Sequence, residues 1–273
     1  MTHTLSYAEH VTVFQAFVLG LLQGITEFLP VSSSGHLVLA ESVFRFSIDP
    51  LSMQSFNVLL HAGTLLALLF CYRDRWYRLL LSLFTNDTAH RRLLFFLILA
   101  TIPGAVAGVL FEDVIANEFS TRTSVAVAFL VTAAVLVVGE RAEQHRRMEH
   151  LSVGKVLLVG LAQAFALLPG LSRSGLTISA ARIMQTDRSE ALDFSFLMAV
   201  PIIAGASAMA LRSLVTGTIS LPSSSVVGIG FFSSFVASVL AIRFLRAFVV
   251  RHSLAWFSLY LVTASMLLLL LDL

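Results

Sequence analysis

Residues 20–35, GLLQGITEFLPVSSSG, return without a gap 140 positions later as residues 160–175, GLAQAFALLPGLSRSG. Six of the sixteen aligned positions are identical: Gly20/Gly160, Leu21/Leu161, Gln23/Gln163, Ser32/Ser172, Ser34/Ser174 and Gly35/Gly175. Each copy is an apolar run cut short by proline, serine and glycine. A pair of interrupted hydrophobic segments in corresponding places of a membrane protein points to a polar site at membrane depth. The copies differ where chemistry would differ: the first carries Glu27 and His36, the second Arg173.

The rest of the chain supplies the membrane. Over 273 residues the mean hydropathy is +0.88 and only 12% of residues are charged, about half the share usual in soluble domains. Long apolar runs, rather than short alternating ones, indicate helices and exclude a β-barrel. The net charge of +2 gives no sign of a nucleic-acid surface. Cys71 is the single cysteine, so no disulfide within the chain is possible. No Lys or Arg precedes the first apolar run, so a cleaved secretory signal is not expected.

Six stretches are long enough to cross a bilayer: 53–71, 94–111, 124–139, 193–212, 226–243 and 254–271. The runs at 11–29 and 153–168 end at Pro30 and at Pro169-Gly170, and neither reads as a complete span. Each reads as a helix that enters, breaks and turns back, which a membrane tolerates only where the broken backbone is buried in protein or lines a wet cavity. Charge orders the topology. Loops 72–93, 140–155 and 243–252, with Arg182 and Arg188, hold 14 of the 18 basic residues. Arg45, Arg122 and Arg212 fall on the other side, beside Glu112, Asp113 and Glu118. The positive-inside rule makes the first set cytoplasmic.

The alternation closes only if both interrupted segments leave on the side from which they came. The expected architecture is therefore an all-α integral membrane protein, a single domain of six transmembrane helices plus two re-entrant helical hairpins arranged as an inverted repeat. Residues 1–140 form the first repeat (re-entrant 11–44, spans 53–71, 94–111 and 124–139). Residues 141–273 form the second (re-entrant 153–185, spans 193–212, 226–243 and 254–271). Both termini lie outside, and the hairpin tips meet near the midplane.

An ionisable side chain inside the membrane is read as functional by default. Gln23 and Glu27, at i and i+4, share a helix face and offer oxygen ligands to a hard cation or a hold on a water. Ser32, Ser33, Ser34, Gly35 and His36 combine hydroxyls, a flexible backbone and an imidazole; at a helix start such a loop makes an anion nest. Helix capping explains one hydroxyl and leaves the others. Ser172, Arg173 and Ser174 add a guanidinium suited to forked bonding of phosphate oxygens. Carboxylate and imidazole facing arginine and serines suggest cleavage of a phosphate ester or anhydride on a lipid. His61 and Asn57 share a face of the first span, where lining the cavity and a structural role are equally open. Asp193 reads as a helix-start cap, Glu41 as facing water, and Gly104/Gly108 as a close-packing pair.

QGITEFLPVSSSGH at 23–36, PGLSRSGLT at 169–177 and DFSFLMAVP at 193–201 resemble the signatures of the undecaprenyl-diphosphate phosphatase family of the bacitracin-resistance type, and the resemblance extends over nearly the whole chain. It implies hydrolysis of undecaprenyl diphosphate to the monophosphate and phosphate, recycling the lipid carrier for cell-wall synthesis. It also implies a bacterial inner-membrane location, a site open to the periplasm and a divalent cation, Mg²⁺ or Ca²⁺. Position by position, Gln23 and Glu27 fall on the family's glutamate-rich motif, with Gln23 where Glu is frequent. Ser32, Ser33, Ser34 and His36 fall on its serine/histidine loop, and Ser172, Arg173 and Ser174 on its arginine motif. The implied partners are the polyprenyl diphosphate and membrane lipids. Glu27, His36, Ser33 and Arg173 are the catalytic candidates, Ser32, Ser34, Ser172, Ser174 and Arg173 the phosphate-binding ones, and Glu27 and Gln23 the metal ligands.

Two chemical routes stay open: attack by Ser33 with His36 as base, or activation of water by Glu27 and His36. The acid-phosphatase-like lipid phosphatases are excluded, because the only lysine, Lys155, has Ala162 where their motif needs arginine, and Ser179 stands where they need histidine. A flippase or transporter of polyprenyl phosphate is the remaining alternative, since the architecture suits alternating access.

Overall fold

The computed structural model describes residues 11–44, 50–119, 121–143, 147–216 and 222–270; the N-terminal stretch, Arg45 and Arg146, and the side chains of Glu112, Asp113 and Glu118, lie outside the described residues. The chain is an all-α membrane protein, with no strand among those residues.

The first interrupted segment becomes α1 (Val13–Phe28) and α2 (Ser33–Phe44). A reciprocal capping box starts α1: the Gln15 amide donates to Thr12 Oγ1 and the Thr12 amide to Gln15 Oε1. Pro30, which cannot donate into a helix, follows its end. The second segment becomes α7 (Val153–Phe165) and α8 (Arg173–Ile183). Both breaks turn through left-handed backbone, at Ser32 (φ 71°) and at Gly170 (φ 90°). Glycine adopts this conformation freely, whereas for serine it is a local strain of the kind concentrated at functional sites.

The remaining helices are α3 (Pro50–Cys71), α4 (Arg73–Leu81), α5 (Thr88–Glu118), α6 (Arg122–Arg141), α9 (Arg188–Val215), α10 (Ser224–Arg251) and α11 (Ala255–Leu270). Four of them contain a membrane-spanning segment by length and composition: Thr88–Phe111, Arg122–Arg141, Arg188–Val215 and Ser224–Arg251. A fifth is counted if α3 and α4, bent by 72° at Tyr72, make one span. The sequence count is six. The difference lies at 254–271, where the described residues of α11, Ala255–Leu270, form a shorter apolar helix of 16 residues.

The packing pairs elements across the halves. Hairpin helix α1 lies on α10, and α7 lies on α5; α3 meets α9, and α6 meets α11. Each hairpin is thus clasped by the second long helix of the other half. Small residues let the backbones approach, as is usual where lipid offers no hydrophobic drive to associate. Gly24 faces the Ser234 carbonyl of α10, and Gly160 faces the backbone of Ala100 in α5. Ser234 Oγ donates to Leu60 O across α10 and α3 at 2.8 Å, and Ser265 Oγ donates to Ala126 O across α11 and α6 at 2.8 Å. Gly104 of the expected small-residue pair faces Gln163 of α7.

Two charges thought to mark topology or a cap do something else. Arg182 is fully buried: its Nε donates to Gly139 O at 2.9 Å and its Nη1 lies 3.1 Å from Glu140 Oε2. Glu140 also takes Arg188 and, at 3.2 Å, the Leu254 amide, tying α6, α8, α9 and the start of α11. Asp193 is not a cap. α9 begins at Arg188, so Asp193 sits more than a turn inside it. Its carboxylate accepts from Tyr72 Oη at 2.5 Å and pairs with Arg75 at 2.7 Å.

The glycine contacts give a stability test. Gly160→Ala is expected to destabilise the protein by about 1–3 kcal/mol through overpacking against Ala100. Gly154→Ala, on the same helix with open space around it, is expected to be neutral or stabilising. Unfolding in detergent measures both; equal effects would contradict the close α7–α5 approach.

Candidate functional site

The two breaks meet and bond to each other. The Gly170 amide of the second tip donates to Ser34 Oγ of the first at 3.4 Å, and Ser174 Oγ donates to Leu29 O at 3.1 Å. Within each tip the same serines repeat the same bonds. Ser32 Oγ accepts from the Gly35 amide at 3.3 Å, and Ser172 Oγ from the Gly175 amide at 3.1 Å. Ser32 and Ser34 share a hydroxyl bond of 3.2 Å, as do Ser172 and Ser174. Thr132 of α6 holds the Ser172 amide at 3.2 Å. Four of the five serines singled out by sequence therefore have their hydroxyls engaged in shaping the tips. In the first turns of α2 and α8 these serines cap the Gly35 and Gly175 amides; the amides of Ser33, Ser34, Arg173 and Ser174 have no acceptor within the helix, and helix starts favour anions.

Between the tips lies a charge pair. Arg173 Nη2 is 2.5 Å from Glu27 Oε1, with the glutamate side chain buried at 7% exposure and the arginine partly buried at 13%. Arg173 also donates to Ser195 O of α9 at 3.4 Å. The other Glu27 oxygen, Oε2, accepts from Ser33 Oγ at 2.6 Å and from Gln23 Nε2 at 3.1 Å, with His61 Nε2 at 3.5 Å. Every catalytic or metal-binding candidate apart from His36 thus touches the Glu27 carboxylate or is Glu27 itself.

His36 faces away from this carboxylate. Its Nδ1 lies 2.7 Å from Ser32 O and its Nε2 lies 2.6 Å from Tyr260 Oη. A carbonyl only accepts, so Nδ1 carries the proton and Nε2 accepts from the tyrosine hydroxyl. The rings of His36 and Tyr260 stack at 5.7 Å with 10° between their planes. Ser33 is hydrogen-bonded to Glu27, and both nitrogens of His36 are engaged elsewhere.

A polar lane leads to the site along α2 and α3. Asn57 Nδ2 donates to Glu41 Oε1 at 2.6 Å, and His61 Nδ1 bonds Asn57 O at 2.8 Å. Glu41, read from sequence as facing water, is instead partly buried and paired.

Tyr260 is the residue that sequence reasoning missed. It lies 224 positions from His36, in a largely apolar helix and in no motif, so only the packing of α11 on α6 brings it in. His61 was legible as a candidate through its i, i+4 relation to Asn57, and its place beside Glu27 settles it as part of the cluster.

Removing Arg173 alone strands a buried carboxylate, which in general costs about 3–5 kcal/mol. Arg173→Ala should therefore destabilise strongly, and adding Glu27→Gln to it should recover much of the loss. Detergent unfolding of the two single variants and the double variant measures the coupling; strictly additive effects would contradict a buried pair.

The family described as bacitracin resistance protein BacA matches residues 16–267. A protein of Desulforudis audaxviator named undecaprenyl-diphosphatase is 40% identical over 249 residues, covering 90% of this chain and 93% of that one. Proteins with the same name from Carboxydothermus hydrogenoformans and Rubrobacter xylanophilus are 37% and 38% identical, over 90% and 91% of this chain and 92% and 94% of theirs.

Proposed function

Because the chain belongs to the bacitracin resistance protein BacA family, we infer from that membership together with the site that it is an undecaprenyl-diphosphatase. It hydrolyses undecaprenyl diphosphate to undecaprenyl phosphate and inorganic phosphate. Transport of a polyprenyl phosphate, the alternative left open by the architecture, is not favoured, since the relatives are named for hydrolysis.

The observation that carries the mechanism is the short bond from Ser33 Oγ to Glu27 Oε2, at 2.6 Å. At rest Arg173 neutralises Glu27. A diphosphate entering between the tips competes for the guanidinium, which binds phosphate oxygens in a fork. Glu27 then loses its counter-ion and becomes a better base. Ser33 Oγ attacks the terminal phosphorus, its proton passes to Glu27, and the bond to the bridging oxygen breaks to release undecaprenyl phosphate. Water then cleaves the phosphoserine and regenerates the serine. Arg173 and the first-turn N–H groups of α2 and α8 hold the phosphoryl oxygens, where charge stabilisation carries most of the barrier lowering. Ser32, Ser34, Ser172 and Ser174 keep those N–H groups in place. His36, with Nδ1 on Ser32 O and Nε2 on Tyr260 Oη, takes no proton in this route and positions the first tip.

The residues also fit a divalent cation, Mg²⁺ or Ca²⁺. Gln23 Oε1 is buried without a hydrogen-bond partner, beside Glu27, and both offer the oxygen ligands such ions prefer. Among the described residues no group of three His, Cys, Asp or Glu forms a metal cage, so Gln23 and Glu27 would share the ion with substrate oxygens. Bound there, the cation would offset phosphate charge. In this reading the chain sits in the bacterial inner membrane with the site open to the periplasm and both termini periplasmic, an orientation that the basic loops support through the positive-inside rule.

Phosphate release from a lipid diphosphate by purified protein tests the activity and is blind to transport. Glu27→Gln and Ser33→Ala should each lower kcat by about a hundredfold or more, and labelled substrate under single turnover should leave phosphoserine at Ser33. A folded Ser33→Ala that keeps wild-type turnover overturns the covalent route. Chelation should suppress release, with Mg²⁺ or Ca²⁺ restoring it, and Gln23→Ala should raise the cation concentration needed; undiminished release in chelator removes the cation from the mechanism.

A further inference from the structure

Four arginines gather where α3 bends by 72° into α4. Arg73 and Arg75 come from α4, and Arg243 and Arg246 from α10, which packs along α3. Cys71, half-buried at the end of α3, marks the centre: Arg243, Arg246 and Arg73 all stand near enough for their charges to act on its thiol. Arg246 lies over the Tyr72 ring at 5.3 Å, and Arg73 over the Phe70 ring at 5.5 Å.

Two aspartates answer these four charges, and unevenly. Asp193 takes Arg75 at 2.7 Å and reaches Arg246 only at 3.7 Å. Asp74, exposed on α4, stays 3.7 Å from Arg73, too far for a hydrogen bond. Arg243 has neither hydrogen bond nor ion pair among the described residues. Four arginines against two aspartates leave a surplus of two positive charges, carried mainly by the exposed Arg73 and Arg243.

Beside this cluster the surface turns apolar. Leu66, Leu69 and Phe70 are exposed on one face of α3, and Phe232 is exposed on α10. The Phe70 and Phe232 rings both pack on that of Phe235, at 6.1 and 6.5 Å. Arg73 is anchored at the boundary, its Nη1 donating to Phe70 O at 3.3 Å. A free anion would use the guanidiniums and leave the apolar stripe idle. A ligand with a charged head and hydrocarbon tails uses both.

We propose that this cluster binds an anionic phospholipid of the cytoplasmic leaflet, with its phosphodiester between Arg73 and Arg243 and its acyl chains along Leu66, Phe70 and Phe232. The proposal is independent of the enzymatic reading, and the orientation enters only in naming the leaflet. Guanidinium forks suit phosphate oxygens, and each basic residue beside an anionic lipid surface strengthens binding by about fivefold. The acyl chains gain nothing by leaving the bilayer, so the arginines set the affinity and the stripe sets where the lipid lies. Arg75 and Arg246 stay with Asp193, and a headgroup shared by Arg73 and Arg243 joins α4 to α10 across the bend.

The test is native mass spectrometry of the full-length protein with phosphatidylglycerol and phosphatidylcholine in competition. The wild type should prefer phosphatidylglycerol by about tenfold or more, and Arg73→Gln and Arg243→Gln should each reduce that preference by about fivefold. Both residues are exposed, and neither holds Asp193. Arg141→Gln, at the exposed end of α6, should leave the preference unchanged. A preference absent in the wild type, or intact in the Arg73→Gln/Arg243→Gln double variant, overturns the site; an equal loss in Arg141→Gln shows diffuse surface charge and overturns it too. The chain's one cysteine gives a second readout. Phosphatidylglycerol added to phosphatidylcholine nanodiscs should slow alkylation of Cys71 by an uncharged maleimide, and inorganic phosphate should not. No slowing by the lipid, or equal slowing by inorganic phosphate, overturns the lipid assignment.

Discussion

A carboxylate and a guanidinium held at membrane depth must find each other, because neither can be left alone there without a large desolvation penalty. Glu27 and Arg173 lie 146 positions apart, one in each hairpin, and their pairing requires both chain breaks to arrive at one place. The rest of the architecture serves that requirement. α10 clasps the first hairpin and α5 the second, glycines let them approach, and the tip serines knit the two turns together. The same pair is also the latent chemistry: it is stable as long as no other anion competes for the arginine.

The serines divide the labour between hairpins. Ser32 and Ser172, and Ser34 and Ser174, make equivalent bonds in the two tips, so duplication accounts for them as scaffold. Among the positions where the copies differ, two carry the chemistry: Ser33 stands opposite Arg173, and Glu27 opposite Leu167. Symmetry builds the cavity and the departures from it supply a nucleophile, a base and a phosphate clamp. Strain follows the same logic. Glycine takes the left-handed turn in one tip, but in the other a serine does so, and its carbonyl fixes the His36 tautomer.

The helical membrane fold and the charged core of the site were legible in the sequence, because interrupted apolar runs and intramembrane charges are local signals. Three features were not. Tyr260 reaches His36 only through helix packing, which no local pattern encodes. Arg182 and Asp193 looked like a loop charge and a cap because sequence shows the residue type and its nearest helix end, not the partner; Glu140, Tyr72 and Arg75 are distant in the chain. The four tip serines were read as phosphate ligands, and the bonds by which they also hold the two turns together are a tertiary contact that a hydroxyl-rich turn does not reveal in sequence.

The most direct test of the account is a crystal structure with the methylene-diphosphonate analogue of farnesyl diphosphate bound. The account predicts that Arg173 leaves Glu27 for the phosphonate oxygens and that Ser33 Oγ lies in line with the terminal phosphorus while still bonded to Glu27. An Arg173–Glu27 pair left intact, with the diphosphonate bound elsewhere, would contradict it.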